Sequence, residues 1–180
     1  MAAKKILTPD EIIKSFKDTF SKNILDARVE KHVRGMKKNE FYHVWLKVDK
    51  KVFHDVVKHL FTFEKYPHFA VSSGYDLGKT IDIVHHFSLY SGAKLREISI
   101  NITTPLPKTD LTIDTITDLI PGALIAEQEK QEMLGIKVVG IPKDERVFIP
   151  NEFPEGMFPW RRDDKGADKM ARNLHDEVKK

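Results

Sequence analysis

The chain has 180 residues, of which 41% are hydrophobic, which is enough to bury the core of one compact domain but not of two. It contains no cysteine, which excludes a disulfide, a thiolate nucleophile, a cysteine-ligated zinc ion and a cysteine-bound iron–sulfur cluster. The net charge of +3 is unevenly distributed, because residues 1–67 hold 15 Lys and Arg against 9 Asp and Glu, whereas residues 68–180 hold 15 against 18.

The first elements along the chain are predicted to be a helix and a β-hairpin. Thr8 is a typical N-cap, with a proline after it and Glu11 placed to complete a capping box, so a helix should span roughly residues 9–21. Two runs rich in β-branched and aromatic residues follow, Ile24–Val33 and Phe41–Val48. The polar, glycine-containing stretch between these runs indicates a hairpin turn.

A second helix and three further strands complete the predicted sheet. Asp49 is placed to cap this helix, and the apolar residues of 52–61 recur every three or four positions. The strands are expected at 69–73, 80–90 and 95–103, with glycine-containing turns between them. This order predicts an α+β fold in which helices cover one face of a largely antiparallel sheet.

The chain is then predicted to leave the sheet and to form two short helices. Pro105-Leu106-Pro107 should end the last strand, and Pro121-Gly122 should interrupt the helical stretch 111–135. Six consecutive polar residues at 127–132 leave no apolar face on the second of these helices. That turn must therefore face water or a polar partner.

The C-terminal part, residues 141–180, is predicted to be an extended, proline-rich docking tail that follows an α+β domain of residues 1–140. Prolines punctuate residues 142–160, so a helix cannot satisfy the backbone there, and aromatic residues recur every few positions. Such a tail needs a surface to lie on, which is either another protein or its own domain. A short terminal helix is predicted over residues 167–178.

The sequence contains no recognisable catalytic, metal-binding or phosphate-binding motif. His85 and His86 are adjacent, so in a strand they point to opposite faces, and no His-x-x-x-His pair occurs. The stretch 73–80 lacks the spacing of a phosphate-binding loop. Glu129 and Glu132 share a helical face but lack the Glu-x-x-His element of carboxylate di-metal sites. We interpret them as exposed acids; a small hydrolase built on the two is the alternative that their spacing leaves open.

Hydropathy and charge bear on location and partners. No apolar run approaches the roughly 18 residues of a membrane helix, and the N-terminus lacks the apolar stretch of a secretory signal. We therefore expect a cytoplasmic chain without direct membrane insertion. The basic residues 1–67 leave one further alternative, a free-standing binding module for nucleic acid or an acidic protein. Their lysines are scattered and not clustered beside stacking aromatics, so a solvated surface explains them better and no nucleic acid is expected.

Three blocks near the C-terminus resemble a family signature. Residues 127–135 are similar to the Glu-Arg-Glu, two variable residues, Asp, Met, an apolar residue and Gly of the 30 kDa subunit family of respiratory complex I. Residues 140–150 resemble that family's Gly-His-Pro-x-x-Arg-Arg-x-x-x-Pro, and residues 159–163 its closing Pro-Leu-Arg-Lys-Asp. The tail looks most like the K-type subunits of archaeal membrane-bound NiFe hydrogenase and sulfane sulfur reductase complexes. Four departures from the signature indicate a divergent branch: Gln128, Glu132, Ile141 and Glu145.

The resemblance implies a structural subunit in the peripheral arm of a membrane-bound, ferredoxin-dependent, ion-translocating oxidoreductase. Such a subunit is not catalytic alone, holds no cofactor and packs against the large catalytic-type subunit and the iron–sulfur subunits, which carry the clusters. Ferredoxin is a further candidate partner, and the location is peripheral at the cytoplasmic side of the cell membrane. Glutamates of the first block are expected to pair with basic groups on the neighbour, and arginines to anchor the tail. The predicted subunit-interface residues are Glu127, Glu129, Glu132, Gly135, Gly140, Pro142, Arg146, Phe148, Pro150, Phe153, Pro159, Trp160, Arg161, Arg162 and Asp163.

Overall fold

A five-stranded sheet lies at the centre of the computed structural model, which describes residues 6–93, 95–143 and 145–167. The strands are β1 (Ile24–Arg34), β2 (Asn39–Val48), β3 (His68–Asp76), β4 (Thr80–Leu89) and β5 (Ile98–Pro107). Their order across the sheet is β1-β2-β5-β4-β3, and each neighbouring pair is antiparallel except β2 and β5, which are parallel. The prediction of a largely antiparallel sheet is confirmed.

Three α-helices cover one face of this sheet: α1 (Pro9–Phe20), α2 (Phe53–Phe63) and α3 (Leu124–Leu134). Val44, Ile100 and Phe87 lie opposite one another on three adjacent strands, and all three are buried. Because alternate strand residues point to opposite faces, they mark the face that carries the core. The helices contribute the following buried side chains to the same core: Ile12, Phe16, Phe53, Val56, Val57, Leu60, Phe63 and Leu134.

The beginning of the chain folds as its local signals predict. Thr8 caps α1 in a complete capping box, in which the Glu11 amide donates to Thr8 Oγ1 (3.2 Å) and the Thr8 amide donates to Glu11 Oε2 (2.8 Å). β1 and β2 form the predicted hairpin, with Arg34 paired to Asn39 at its closed end. These elements needed only neighbouring residues to be recognised, which is why their prediction is confirmed.

The prolines predicted to end the sheet lie inside a strand. Pro105 and Pro107 belong to β5 and pair with β4. Within the described register, the pairing of β5 with β2 ends at Thr103, so from there onward the strand has a free edge. A proline without an N–H group is tolerated at such an edge, and the strand continues where the sequence indicated its end.

The region after the sheet contains one helix where two were predicted. The only α-helix that the structure describes within 111–135 is α3, preceded by a 3-10 turn at Pro121–Ala123. Thr112–Asp114 forms a short strand, β6, which pairs in parallel with β7 (Lys137–Val139). Ile113 on β6 and Val138 on β7 are buried in the core, so tertiary packing selects a strand for this β-branched stretch.

Two smaller boundaries also differ from the prediction. Asp49 caps a 3-10 turn at Lys50–Val52 that precedes α2, and its carboxylate accepts from the Lys51 amide at 2.9 Å. β3 continues past residue 73, the predicted end, to Asp76.

The terminal helix predicted over 167–178 lies outside the described residues, apart from Ala167. In the described part of the chain, no helix is long and apolar enough to cross a membrane. The proposed division into a domain of residues 1–140 and a docking tail stays a prediction.

Candidate subunit interface

The polar helix α3 is buried, and its polar side chains find their partners within the same chain. Glu127, Gln128, Lys130 and Glu132 are each at least nine-tenths buried. A polar group removed from water is costly unless it is hydrogen-bonded, so the loops around α3 must supply donors and acceptors. The polar partner that this helical turn requires is therefore, at least in part, its own chain.

Glu127 fixes the loop that leads from β6 to α3. Its carboxylate accepts from the Ile116 amide at 2.8 Å and from Thr115 Oγ1 at 2.6 Å. Burial raises the pKa of Glu127, and these two donors offset only part of that effect. The carboxylate thus holds a backbone turn of its own chain in place.

Glu132 and Gln128 hold the start of the tail. The Glu132 carboxylate accepts from three successive backbone amides, those of Val147 (2.5 Å), Phe148 (2.9 Å) and Ile149 (2.8 Å). Gln128 Nε2 donates to the Lys143 carbonyl at 3.1 Å. Because a carboxylate that receives several charge-assisted hydrogen bonds is a strong anchor, the tail follows a defined path across α3.

Lys130 lies beneath the other end of the tail. Its side chain is 2% exposed, forms an ion pair with Glu129 and lies 5.1 Å from the centre of the Trp160 ring. A buried ammonium needs such partners, since an unpaired charge in this position would be strongly destabilising. Glu129 and Trp160 therefore have a role within this chain as well as partly exposed surfaces.

A cluster of charged groups fastens the tail to the end of the sheet. Lys108 Nζ contacts Asp76 at 2.8 Å and Asp163 at 2.7 Å, and Arg161 also pairs with Asp163. The Arg162 amide donates to Asp76 at 2.8 Å. Burial opposes the ionisation of Asp76, but Lys108 and the backbone donors outweigh it and lower the pKa of Asp76.

The tail also closes over the end of α3. Gly135 ends the helix with a left-handed φ of 69°, and a Cβ at this position would lie 2.4 Å from the Phe158 ring. The Trp160 amide donates to the Met133 carbonyl (2.9 Å), and Arg161 donates to the Leu134 carbonyl (3.2 Å). The last carbonyls of the helix thus bind tail residues, so the tail lies on its own domain, one of the two surfaces that its composition allows.

The predicted interface residues divide into an inner and an outer set. The inner set consists of the buried residues Glu127, Glu132 and Arg161 and the partly buried residues Glu129, Gly135, Phe153 and Pro159. The contact of all these residues with another subunit stays a prediction. Within the chain, Glu127 binds the loop before α3, Glu132 binds the tail, and Arg161 binds the end of α3. The outer set, which is exposed, consists of Gly140, Pro142, Arg146, Phe148, Pro150, Trp160, Arg162 and Asp163.

An open groove of about 620 Å³ lies beside Phe148 and adds residues that the sequence did not single out. Tyr66, Val71 and Ile125 line it with exposed apolar side chains. They come from the loop before β3, from β3 itself and from α3. No local pattern links these three segments, although the isolated Ile125 beside a polar run is a signal that could have been followed.

The two adjacent histidines that were considered as metal ligands are separated by the sheet. His86 bonds to Ser73 Oγ (2.9 Å) and Asn101 Oδ1 (2.7 Å) on the uncovered sheet face. His85 is packed against Phe53 on the core face, and burial lowers its pKa to about 3. The histidines thus point to opposite faces, as strand alternation predicts.

Several charges of the basic N-terminal half are paired within the chain. Lys31 contacts Glu40 at 2.6 Å, Lys47 contacts Asp82 at 3.0 Å, and Lys50 forms an ion pair with Asp110. No group of three potential metal ligands occurs among the residues that the structure describes. None of these features favours nucleic-acid binding or a hydrolase over a protein interface.

The comparisons with known proteins point in one direction. A family profile, described as respiratory-chain NADH dehydrogenase, 30 Kd subunit, matches residues 46–170. The membrane-bound hydrogenase subunit beta of Pyrococcus furiosus is 28% identical over 131 residues, which are 72% of this chain and 75% of that protein.

Two solved structures share the fold. One is a chain in the structure of the membrane-bound sulfane sulfur reductase, an archaeal respiratory membrane complex; the TM-score is 0.63 at 20% identity, over 94% of this chain and 89% of that one. The other is a trypsin-resistant fragment of Nqo5, with a TM-score of 0.56 at 17% identity, over 76% of this chain and 99% of the fragment.

Proposed function

This chain belongs to the respiratory-chain NADH dehydrogenase 30 Kd subunit family, and we propose that it is a structural subunit of a complex I-related membrane-bound hydrogenase or sulfane sulfur reductase complex. The observation that carries the proposal is the match to the membrane-bound hydrogenase subunit beta, which spans about three quarters of both chains. The fold shared with a chain of the sulfane sulfur reductase complex supports the same assignment.

In this proposal the chain contributes a preformed surface and no redox centre. The absence of cysteine removes the thiolate ligands of iron–sulfur clusters, so the clusters lie in partner subunits. The bonds of Glu132 and of the Asp76 cluster hold the tail in one conformation before any partner arrives. Binding then costs little further ordering of the tail, which is the usual advantage of preorganisation.

The partners are inferred at the level of subunit type. We assign the exposed tail residues to contacts with the large catalytic-type subunit and the iron–sulfur subunits, at the cytoplasmic side of the membrane. Electron delivery by ferredoxin and ion translocation belong to those partners in this proposal. Phe148 and Trp160 are the side chains best suited to anchor the contact, because half-exposed aromatics on a fixed backbone dominate many interfaces.

Affinity purification from native membranes tests the assignment. The full-length chain, tagged at one terminus and extracted in mild detergent, should co-purify with membrane-embedded and iron–sulfur subunits. The same chain purified alone should show no visible absorption that dithionite bleaches. Migration as a free protein, or retention on heparin without any membrane subunit, would contradict the proposal and favour a separate binding module.

A further inference from the structure

The two edges of the sheet differ in chemistry. β1 and β3 are the outer strands. Charged side chains on an outer strand are a common protection against pairing with another chain. β3 has none from Phe69 to Tyr75, so this edge is unprotected by charge. β1 carries several along its length: Asp26, Arg28, Glu30, Lys31 and Arg34.

The outer side of β3 pairs with no further strand among the described residues. The Leu77 amide donates to the Thr80 carbonyl at 2.9 Å, which fixes the alternation of hydrogen-bonded pairs along β3 and β4. By that alternation, the N–H and C=O groups of Ser72 and Gly74 point away from β4, and Gly74 is the more accessible of the two, because Ser72 is only 4% exposed. Among the described residues, no backbone group of another segment bonds to this outer side of β3.

A continuous groove follows this edge. The hollow of about 620 Å³ runs along residues 66–71, and a second hollow of about 390 Å³ runs along residues 71–74. Val71 and Glu129 line both hollows, so the two are continuous. Phe148 lies on the far wall of the first hollow and Trp160 on that of the second.

The lining of the groove specifies the chemistry of its occupant. Its walls are mainly apolar, and the charged groups of the second hollow, Glu129 and Lys130, neutralise each other. A charged side chain buried there would lose hydration without gaining a free partner. The far wall belongs to the tail, whose exposed aromatics are the anchors in the proposed subunit interface, so the groove continues that surface.

We propose that an extended, uncharged segment of a partner subunit lies in this groove and pairs with the free edge of β3 as a sixth strand of the sheet. The inference rests on the proposed function and specifies how the partner is held. Backbone hydrogen bonds to Gly74 supply register. Alternate side chains of the added strand meet Ile125, Phe148 and Trp160, which select apolar residues.

A pair of matched valine substitutions tests the edge itself. Val71 and Val33 are half-exposed valines on the two outer strands, with 49% and 53% of their surface accessible. Val71→Lys should reduce the partner subunits recovered with the tagged full-length chain by about tenfold or more. Val33→Lys should leave the recovery unchanged. Thermal unfolding of both purified variants should match wild type, because each lysine is solvated in the free chain.

A second pair tests the far wall of the groove. Phe148 and Val147 are neighbours that are 45% and 49% exposed, and of the two only Phe148 lines the groove. Phe148→Ser should weaken recovery of the partner subunits, whereas Val147→Ser should not. Equal effects of the two substitutions would mean that the tail contacts its partner without using the groove.

Amide hydrogen exchange distinguishes strand addition from side-chain contact alone. In the assembled complex, exchange in residues 68–76 should be slower than in the isolated full-length chain, whereas exchange in residues 24–34 should not change. Unchanged exchange in 68–76 would overturn the inference, and so would intact assembly of Val71→Lys. If the isolated chain forms a dimer and Val71→Lys makes it monomeric, the occupant of the groove is a second copy of this chain and not a partner subunit. If wild type recovers no subunits, the proposed function fails as well; if wild type and both groove variants recover them equally, only this inference fails.

Discussion

The two halves of the molecule are held together by different forces. In the described residues of 6–107, apolar side chains of five strands and two helices form one continuous core. In the described residues of 108–167, side chains such as Ile113, Leu134 and Val138 extend that core, but the tail is held by carboxylates that bind backbone amides and by an ion cluster. The first half is stabilised mainly by removal of apolar surface from water, whereas the attachment of the tail in the second half depends mainly on satisfying buried polar groups.

This difference makes the attachment of the tail more sensitive to geometry than the apolar core is. An apolar core tolerates exchange among side chains of similar size, whereas a buried carboxylate needs its donors at fixed positions. The tail must also present its aromatics in one arrangement if it forms an interface. Directional bonds suit that purpose better than a loose apolar contact would.

The largest effect is expected in the apolar core of the first half. Leu60 is fully buried on α2, and Leu60→Ala should lower the free energy of unfolding by about 2–5 kcal/mol through lost apolar contact and a cavity. Leu25→Ala makes the same change at an exposed position of β1 and should stay within about 0.5 kcal/mol of wild type. Urea denaturation followed by circular dichroism measures both. Comparable losses from the two substitutions would show that burial does not control the stability of this half.

An intermediate effect is expected in the second half. Glu132→Gln places an amide N–H₂ group against at least one of the three backbone donors at Val147, Phe148 and Ile149, whichever way the side chain is turned. The docked tail should lose about 1.5–3 kcal/mol of stability, the range for a hydrogen bond to a charged group, while the sheet stays folded. Limited proteolysis should therefore cut residues 143–150 faster.

Glu155→Gln is the matched control for this substitution, because Glu155 is an exposed residue of the same tail. It should leave the cleavage rate at wild-type level. Slow cleavage of the Glu132→Gln variant would mean that the tail is held by its apolar contacts instead, and loss of the whole circular dichroism signal would mean that the two halves unfold as one unit.

The contrast between the halves also explains what the sequence could predict. Ile98, Ile100 and Ile102 alternate with polar residues, so their strand and its buried face are evident from neighbours alone. The polar run of α3 likewise indicates that a polar partner is needed. It does not identify that partner, because the amides that donate to Glu132 lie 15 to 17 residues further along the chain. The path of the tail depends on Phe158, Trp160 and Arg161 as well.

The ion cluster and the groove are harder still to predict. Asp76 and the Arg162 amide are 86 residues apart, and Lys108 lies between them in sequence without any local motif. The groove combines side chains of three segments that meet only after the sheet has formed. The residues of the tail were therefore recognisable as belonging to a family signature, but their bonds to the domain were not.

The smallest expected effect concerns two carboxylates, Asp76 at the end of β3 and Glu127 on α3, whose contributions to stability respond to acid in opposite directions. The pKa of Asp76 is lowered in the folded chain, because Lys108 and backbone donors outweigh its burial, so ionised Asp76 stabilises the fold above its ordinary pKa. That contribution is lost as pH falls from about 5 through the folded pKa of Asp76. The pKa of Glu127 is raised, mainly by burial, so the fold gains stability as the pH falls through that raised pKa, at higher pH than the loss from Asp76.

Single substitutions should therefore change the acid dependence of stability in opposite directions. Asp76→Asn should make the free energy of unfolding fall less between about pH 5 and pH 2 than in wild type, since the group that loses its charge is absent. Glu127→Gln should remove the gain in stability that wild type makes as the pH falls through the raised pKa of Glu127 toward its ordinary value of 4.5. Urea titrations at each pH measure both slopes. If the two substitutions shift the slope in the same direction, the carboxylates respond to the overall charge of the chain and not to the separate contacts that Lys108 and Thr115 make with them.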